Sequence, residues 1–128
     1  MFDRILVPVD GSACALRAAK YGVELAAAFD AAVDVLHVDT GDVAPEDVFA
    51  AVESLLADAD RAVATHTETG NPRKRIVAFA RERDADLVVM GRHGRRGVGE
   101  RVLGSTTERV LRAAPVPVFT VAGEGVTD

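Results

Sequence analysis

The sequence predicts one α/β domain: a doubly wound parallel sheet with helices on both faces. Three observations carry that expectation. Five apolar runs of strand length alternate with four segments whose apolar residues recur at helical spacing. The first, second and fourth runs are near-continuously apolar, as strands buried on both faces must be. A helix between successive strands also demands right-handed crossovers, so the strands run parallel.

Residues 2–9 form the first strand, apolar and β-branched, and stop at the turn residues Asp10, Gly11 and Ser12. Residues 13–29 then place Leu16, Ala19, Val23, Ala26 and Ala27 at helical spacing, with Ser12 as N-cap. Residues 31–38 are the second strand. After the loop at 39–44, Pro45 sits at a helix start and Val48, Val52, Leu55 and Leu56 form one stripe. A third strand falls within 62–69; its pattern is weakest, because residues 65–69 are all polar. Asn71 caps the third helix, Pro72 takes its first position, and Ile76, Val77, Phe79 and Ala80 supply its buried face. Residues 86–90 are strand four, 105–113 the last helix and 116–121 strand five. The pattern alone leaves the strand order open between 2-1-3 and 3-2-1-4-5 arrangements, the second of which brings the first and fourth strands together at the reversal.

At 128 residues the chain is expected to hold one domain over 1–122, with a short tail at 123–128. No apolar run approaches the roughly 20 residues that a membrane helix needs, and no basic-then-apolar leader precedes the first strand, so the expected location is cytoplasmic and no membrane partner is expected. The one cysteine, Cys14, has no partner for an internal disulfide. A net charge of −5 with no broad basic face argues against nucleic-acid binding. His37, His66 and His93 are scattered without a ligand pattern, so no metal site of protein ligands is expected.

The segment 91–105 departs from the rest. It carries Arg92, Arg95, Arg96 and Arg101 against one acid, Glu100, so it stands at +3 inside a −5 chain. Its glycines leave a strand and feed a helix start. There, free N–H groups and the helix dipole favour an anion, and glycine lets the backbone come close. Ser105-Thr106-Thr107-Glu108 reads as a capping box, with Ser105 as N-cap and Glu108 reaching back. The segment lacks the P-loop lysine after its last glycine, and Gly97-Val98-Gly99 lacks the third glycine of the dinucleotide fingerprint, so neither of those mechanisms carries over. In an open α/β sheet, ligands bind beyond the carboxyl ends of strands at the reversal. The Pro8–Ser12 turn and this segment both lie at such ends.

Gly91, Gly94, Gly104 and Ser105 match a Gly-x2-Gly-x9-Gly-Ser/Thr pattern. With the opening Ile-Leu-Val-Pro-Val-Asp-Gly-Ser, the Leu36-His37-Val38 strand end and Asp86 to Gly91, the chain strongly resembles the universal stress protein family from about residue 1 to 121, in its ATP-binding branch. The resemblance implies a five-stranded parallel sheet of order 3-2-1-4-5 and an ATP ligand, with Mg²⁺ on its phosphates as an open alternative. It implies that Asp10 and the Val38 backbone meet adenine and ribose, and that Pro8 and Val9 form the crevice wall. Gly91 and Gly94 lie beside the ribose and first phosphates, and Gly104, Ser105 and Thr106 cradle the outer ones. Met90, Arg92, Arg95, Arg96 and Gly97 complete the expected site. It further implies a homodimer through residues 116–121 and a protein partner whose identity the sequence does not give. The helix-two and third-strand region is compressed relative to the family pattern.

The expected function is therefore an ATP-binding, nucleotide-dependent regulator of the stress response. Two rivals stand beside it. A slow Mg²⁺-dependent ATPase lacks an evident water-activating base, and efficient phosphoryl transfer needs metal, positioned nucleophile and charge clamp together. A nucleotide-free dimerisation module is opposed by the intact glycines.

Overall fold

A computed structural model describes residues 2–59, 61–93 and 103–123. Along the chain run β1 (Arg4–Pro8), α1 (Ala13–Phe29), β2 (Ala32–Asp39), α2 (Pro45–Leu55), β3 (Val63–Thr69), α3 (Pro72–Glu82), β4 (Leu87–Gly91), α4 (Ser105–Ala113) and β5 (Val118–Val121). The five strands form one parallel sheet in the order β3-β2-β1-β4-β5. The reversal of strand order falls between β1 and β4, which pair through Ile5 with Leu87 and Leu6 with Val88.

The two-residue period of the strands sorts the core into two layers. Ile5, Val7, Val33, Val35, Leu87 and Val89 face α1 and α2, where Ala18, Ala19, Val23, Ala26, Val48 and Val52 meet them. Leu6, Leu36, Val38, Val88 and Met90 face the other way, onto Ile76, Val77, Phe79 and Ala80 of α3 and Val110 of α4. The small residues of α1 have a steric cause. A Cβ on Gly22 would lie 2.7 Å from Val7 Cγ2, and one on Gly91 would lie 2.8 Å from Cys14 Sγ and 3.0 Å from the Cys14 carbonyl carbon. Helix α1 thus rests almost backbone to backbone on β4.

The polar third strand pairs with β2 along its whole length, from Val33 with Val63 to Asp39 with Thr69. It lies at the sheet edge, where alternate residues meet water. At the amino end of the strands the buried Asp34 accepts from Arg4 Nη1 at 2.8 Å and from His66 Nε2 at 2.8 Å, with Arg83 Nη2 at 3.6 Å. Burial by itself raises the Asp34 carboxyl, but the hydrogen bonds and charges of Arg4 and His66 outweigh it, so the net displacement is below the ordinary range. Among the described residues no helix is long and apolar enough to cross a membrane.

Several sequence expectations need correction. The capping box does not form: Gly104, not Ser105, is the N-cap of α4, with φ −67° and ψ 156° and no side-chain cap bond. Ser105 is the first helical residue, and Glu108 pairs one turn on with Arg112 at 2.9 Å instead of reaching back. The fifth strand starts at Val118; Pro117 precedes it and offers its carbonyl to Val88 N. Leu55 lies outside the buried stripe of α2, and Ala27 outside that of α1, because both positions are on the solvent side of their helices.

Candidate functional site

All four helices follow strands, so all four helix N-termini lie at the carboxyl end of the sheet. The first turn beyond β1 is closed locally. Asp10 Oδ1 accepts from Ser12 N at 3.0 Å, and Ser12 Oγ accepts from Ala15 N at 3.1 Å. Helix α3 is capped in the same way by Asn71 Oδ1, which accepts from Arg73 N at 2.9 Å. Helix α2 lacks a side-chain cap, but Pro45 removes one unmet donor and Glu46 and Asp47 face the positive end of the dipole.

Helix α4 shares only the acid, with Glu108 in its first turn. No side chain caps it, no proline opens it, and among the described residues the Ser105, Thr106 and Thr107 amides have no acceptor. What it does have is a fixed seat. Gly104 N donates to Arg92 O at 2.8 Å, and the Thr107 hydroxyl donates to Gly91 O at 2.8 Å. Arg92 N in turn donates to Val121 O at 2.9 Å. The exit of β4, the start of α4 and the end of β5 are therefore tied together beside the reversal.

The predicted site residues divide into three sets. Pro8, Val9 and Asp10 end β1; Val38 nears the end of β2; Met90, Gly91 and Arg92 end β4; and Gly104, Ser105 and Thr106 open α4. The fold gathers these at one end of neighbouring strands. Gly91, second, proves to be a packing position: it is buried against Cys14, and its missing side chain makes room for α1. Gly94, Arg95, Arg96 and Gly97 lie outside the described residues.

Two residues outside the expected site now stand out, Thr107 and His37, the second of which packs and hydrogen-bonds near the end of β2 as its sequence position suggests. Thr107 is 2% exposed and spends its hydroxyl on the end of β4, a partner too distant in sequence to be read from the local pattern. His37 is 4% exposed, and its Nδ1 lies 2.9 Å from Val9 O. A carbonyl only accepts, so Nδ1 carries the proton; Nε2 has no hydrogen-bond partner among the described residues, and Phe49 lies edge-on at 6.2 Å. Among the described residues no group of three His, Cys, Asp or Glu could hold a metal ion.

A family model described as the universal stress protein family matches residues 1–122. The chain belongs to the universal stress protein family. A universal stress protein of Methanocaldococcus jannaschii is 34% identical over 142 aligned residues, covering 94% of this chain and 82% of that relative. Two solved structures show the fold. A universal stress protein in complex with cAMP aligns with a TM-score of 0.76 at 24% identity, over 96% of this chain and 99% of that one. An Arabidopsis thaliana family protein with AMP bound aligns with a TM-score of 0.70 at 18% identity, over 96% and 93%. The universal stress protein fold thus accommodates adenine nucleotides in those two proteins.

Proposed function

We propose that this universal stress protein binds ATP at the reversal between β1 and β4 and acts as a nucleotide-dependent regulator of the stress response. One observation carries the reading. Of the four helix starts at the carboxyl end of the sheet, α4 is the one with neither a side-chain cap nor a proline among the described residues, and it is anchored beside the strand reversal. Such a turn offers fixed donors and a positive dipole end to phosphate oxygens. Gly104, Ser105 and Thr106 cradle the outer phosphates. Pro8, Val9, Asp10 and Val38 receive the nucleoside, beside Met90 and Gly91. Arg92, Arg95, Arg96, Gly94 and Gly97 belong to the charged segment that neutralises the phosphate chain. Any Mg²⁺ would be carried by the phosphates, with no cage of protein ligands. The test is calorimetric titration of the apo protein with ATP, together with mass spectrometry of nucleotide released on denaturation. Saturable one-site binding supports the reading; a folded protein that gives no heat with ATP, AMP or cAMP ends it.

The same reading includes a homodimer through β5. That strand ends the sheet, and on it Phe119 is 44% exposed. An open groove of about 730 Å³, lined by Arg17, Tyr21, Leu25, Val89, Phe119 and Val121, runs beside it along α1. An apolar edge with unpaired backbone favours pairing with another copy. Val118 packs toward the core under α4, so Phe119→Lys is the cleaner probe. Light scattering should report a dimer for the parent and a shift toward monomer for Phe119→Lys; a monomeric parent at tens of micromolar, on the order at which weak dimers form, contradicts the dimer.

A further inference from the structure

We infer that Thr107 is a positioning residue for the anion-binding turn of α4, an inference that rests on the nucleotide reading above. The argument starts from an energetic oddity. A helix whose first three amides have no acceptor among the described residues gains nothing from its own cap, and its first turn frays unless something outside the helix holds it. Two bonds do so here. Gly104 N to Arg92 O fixes the residue before the helix, and the Thr107 hydroxyl to Gly91 O fixes the third residue within it. The three amides of Ser105, Thr106 and Thr107 lie between those two points.

The second bond is protected. Thr107 is 2% exposed, and Gly91 is buried at the end of β4, where Cys14 packs against it. A hydroxyl buried against a carbonyl does not exchange readily with water, so the turn keeps its orientation without a ligand. Gly91 O is backbone at the end of a core strand, so the seat is as rigid as the sheet itself. Thr107 therefore acts through the turn: its side chain is turned to the strand, and its task is to hold the neighbouring amides in place. Donors fixed in advance lose little freedom on binding, which raises affinity without a new contact.

The test compares Thr107→Val, which keeps the shape and removes the hydroxyl, with Thr107→Ser, which keeps the hydroxyl. Hydrogen exchange on the ligand-free proteins reads the anchor by itself. Thr107→Val should speed exchange at the Gly104 and Glu108 amides and leave the β1 and β4 amides unchanged, while Thr107→Ser stays close to the parent. ATP titration reads the consequence: loss of one buried hydrogen bond should weaken ATP by about tenfold in Thr107→Val, with Thr107→Ser restoring most of it. If Thr107→Val does not fold, Thr107→Ala against Thr107→Ser makes the same comparison. Unchanged exchange in Thr107→Val overturns the anchor. Faster exchange with undiminished ATP affinity overturns the positioning role, as does a serine variant as weak as the valine one. A parent protein that binds no ATP overturns the nucleotide reading and with it the ligand this turn is set for, whereas the exchange data still decide whether Thr107 holds the turn.

Discussion

Helices α1 and α4 flank the same strand reversal, yet their first turns are finished in opposite ways. Ser12 answers the Ala15 amide of α1 with its own side chain, and Asp10 closes the turn before it. Helix α4 opens at a glycine with no side-chain cap, and what holds it is a pair of bonds to the end of β4. In α1 the Ala15 amide is answered by the chain itself. In α4 the turn is held from behind, and among the described residues its first three amides have no acceptor. The difference teaches that stabilising a helix start and emptying it for a ligand are separable tasks, the first here delegated to Thr107 and Gly104. The two ends of the sheet repeat the contrast: at the amino end Asp34 meets Arg4, His66 and Arg83, so its charge is answered within the chain.

The contrast can be broken most heavily at the seat itself. Gly91→Ala puts a Cβ 3.0 Å from the Cys14 backbone carbon, which no side-chain rotation relieves. Forcing α1 off β4 should cost about 1–3 kcal/mol in denaturant melts. Adding Cys14→Ala should recover only the part due to sulfur, and full recovery would show that the backbone approach is not limiting.

Next in size is the answered charge at the other end. The Asp34 carboxyl is held below its ordinary range, so its contribution is present above the unfolded carboxylate value and lost as pH falls through the lower folded value. Asp34→Asn should lower stability at neutral pH by roughly 1–3 kcal/mol, the range for hydrogen bonds to a charged group. The gap between parent and variant should hold down to about pH 4 and close below it. Melting both proteins from pH 7 to pH 2.5 or so checks this, and a gap that widens in acid would reverse the assigned sign.

Smaller effects separate the helix starts directly. Ser12→Ala and Asn71→Ala each remove a cap and should cost about 1 kcal/mol of stability. Ser105→Ala removes no cap and should leave the ligand-free melting temperature within error, while weakening ATP. A destabilised Ser105→Ala with normal ATP affinity would restore the capping box that the structure replaces.

Where local chemistry decides an element, the sequence was legible. Asn71 followed by Pro72 marked the start of α3 to the residue, and the apolar face Ile76, Val77, Phe79 and Ala80 is the one that packs. The strand order followed from the family resemblance, since the residues alone left two arrangements open. The polar β3 was hard to read because an edge strand need not be apolar. The capping box misled for a tertiary reason: Arg92 O takes the Gly104 amide and starts the helix one residue early. The packing of Gly91 on Cys14 was not legible, because the two are neighbours in space and far apart in sequence. Thr107 was hidden behind the same capping pattern.

The central claim is that the α4 start is kept open for phosphate, and Gly104→Asp addresses it most directly. A carboxylate at the N-cap would answer the free amides from within and set a negative charge where the phosphates belong. Differential scanning calorimetry and ATP titration on the same preparation give both signs at once. The ligand-free protein should be as stable as the parent or more so by roughly a few tenths of a kcal/mol, while ATP binding is lost. A Gly104→Asp protein that folds normally and binds ATP as tightly as the parent would contradict the account.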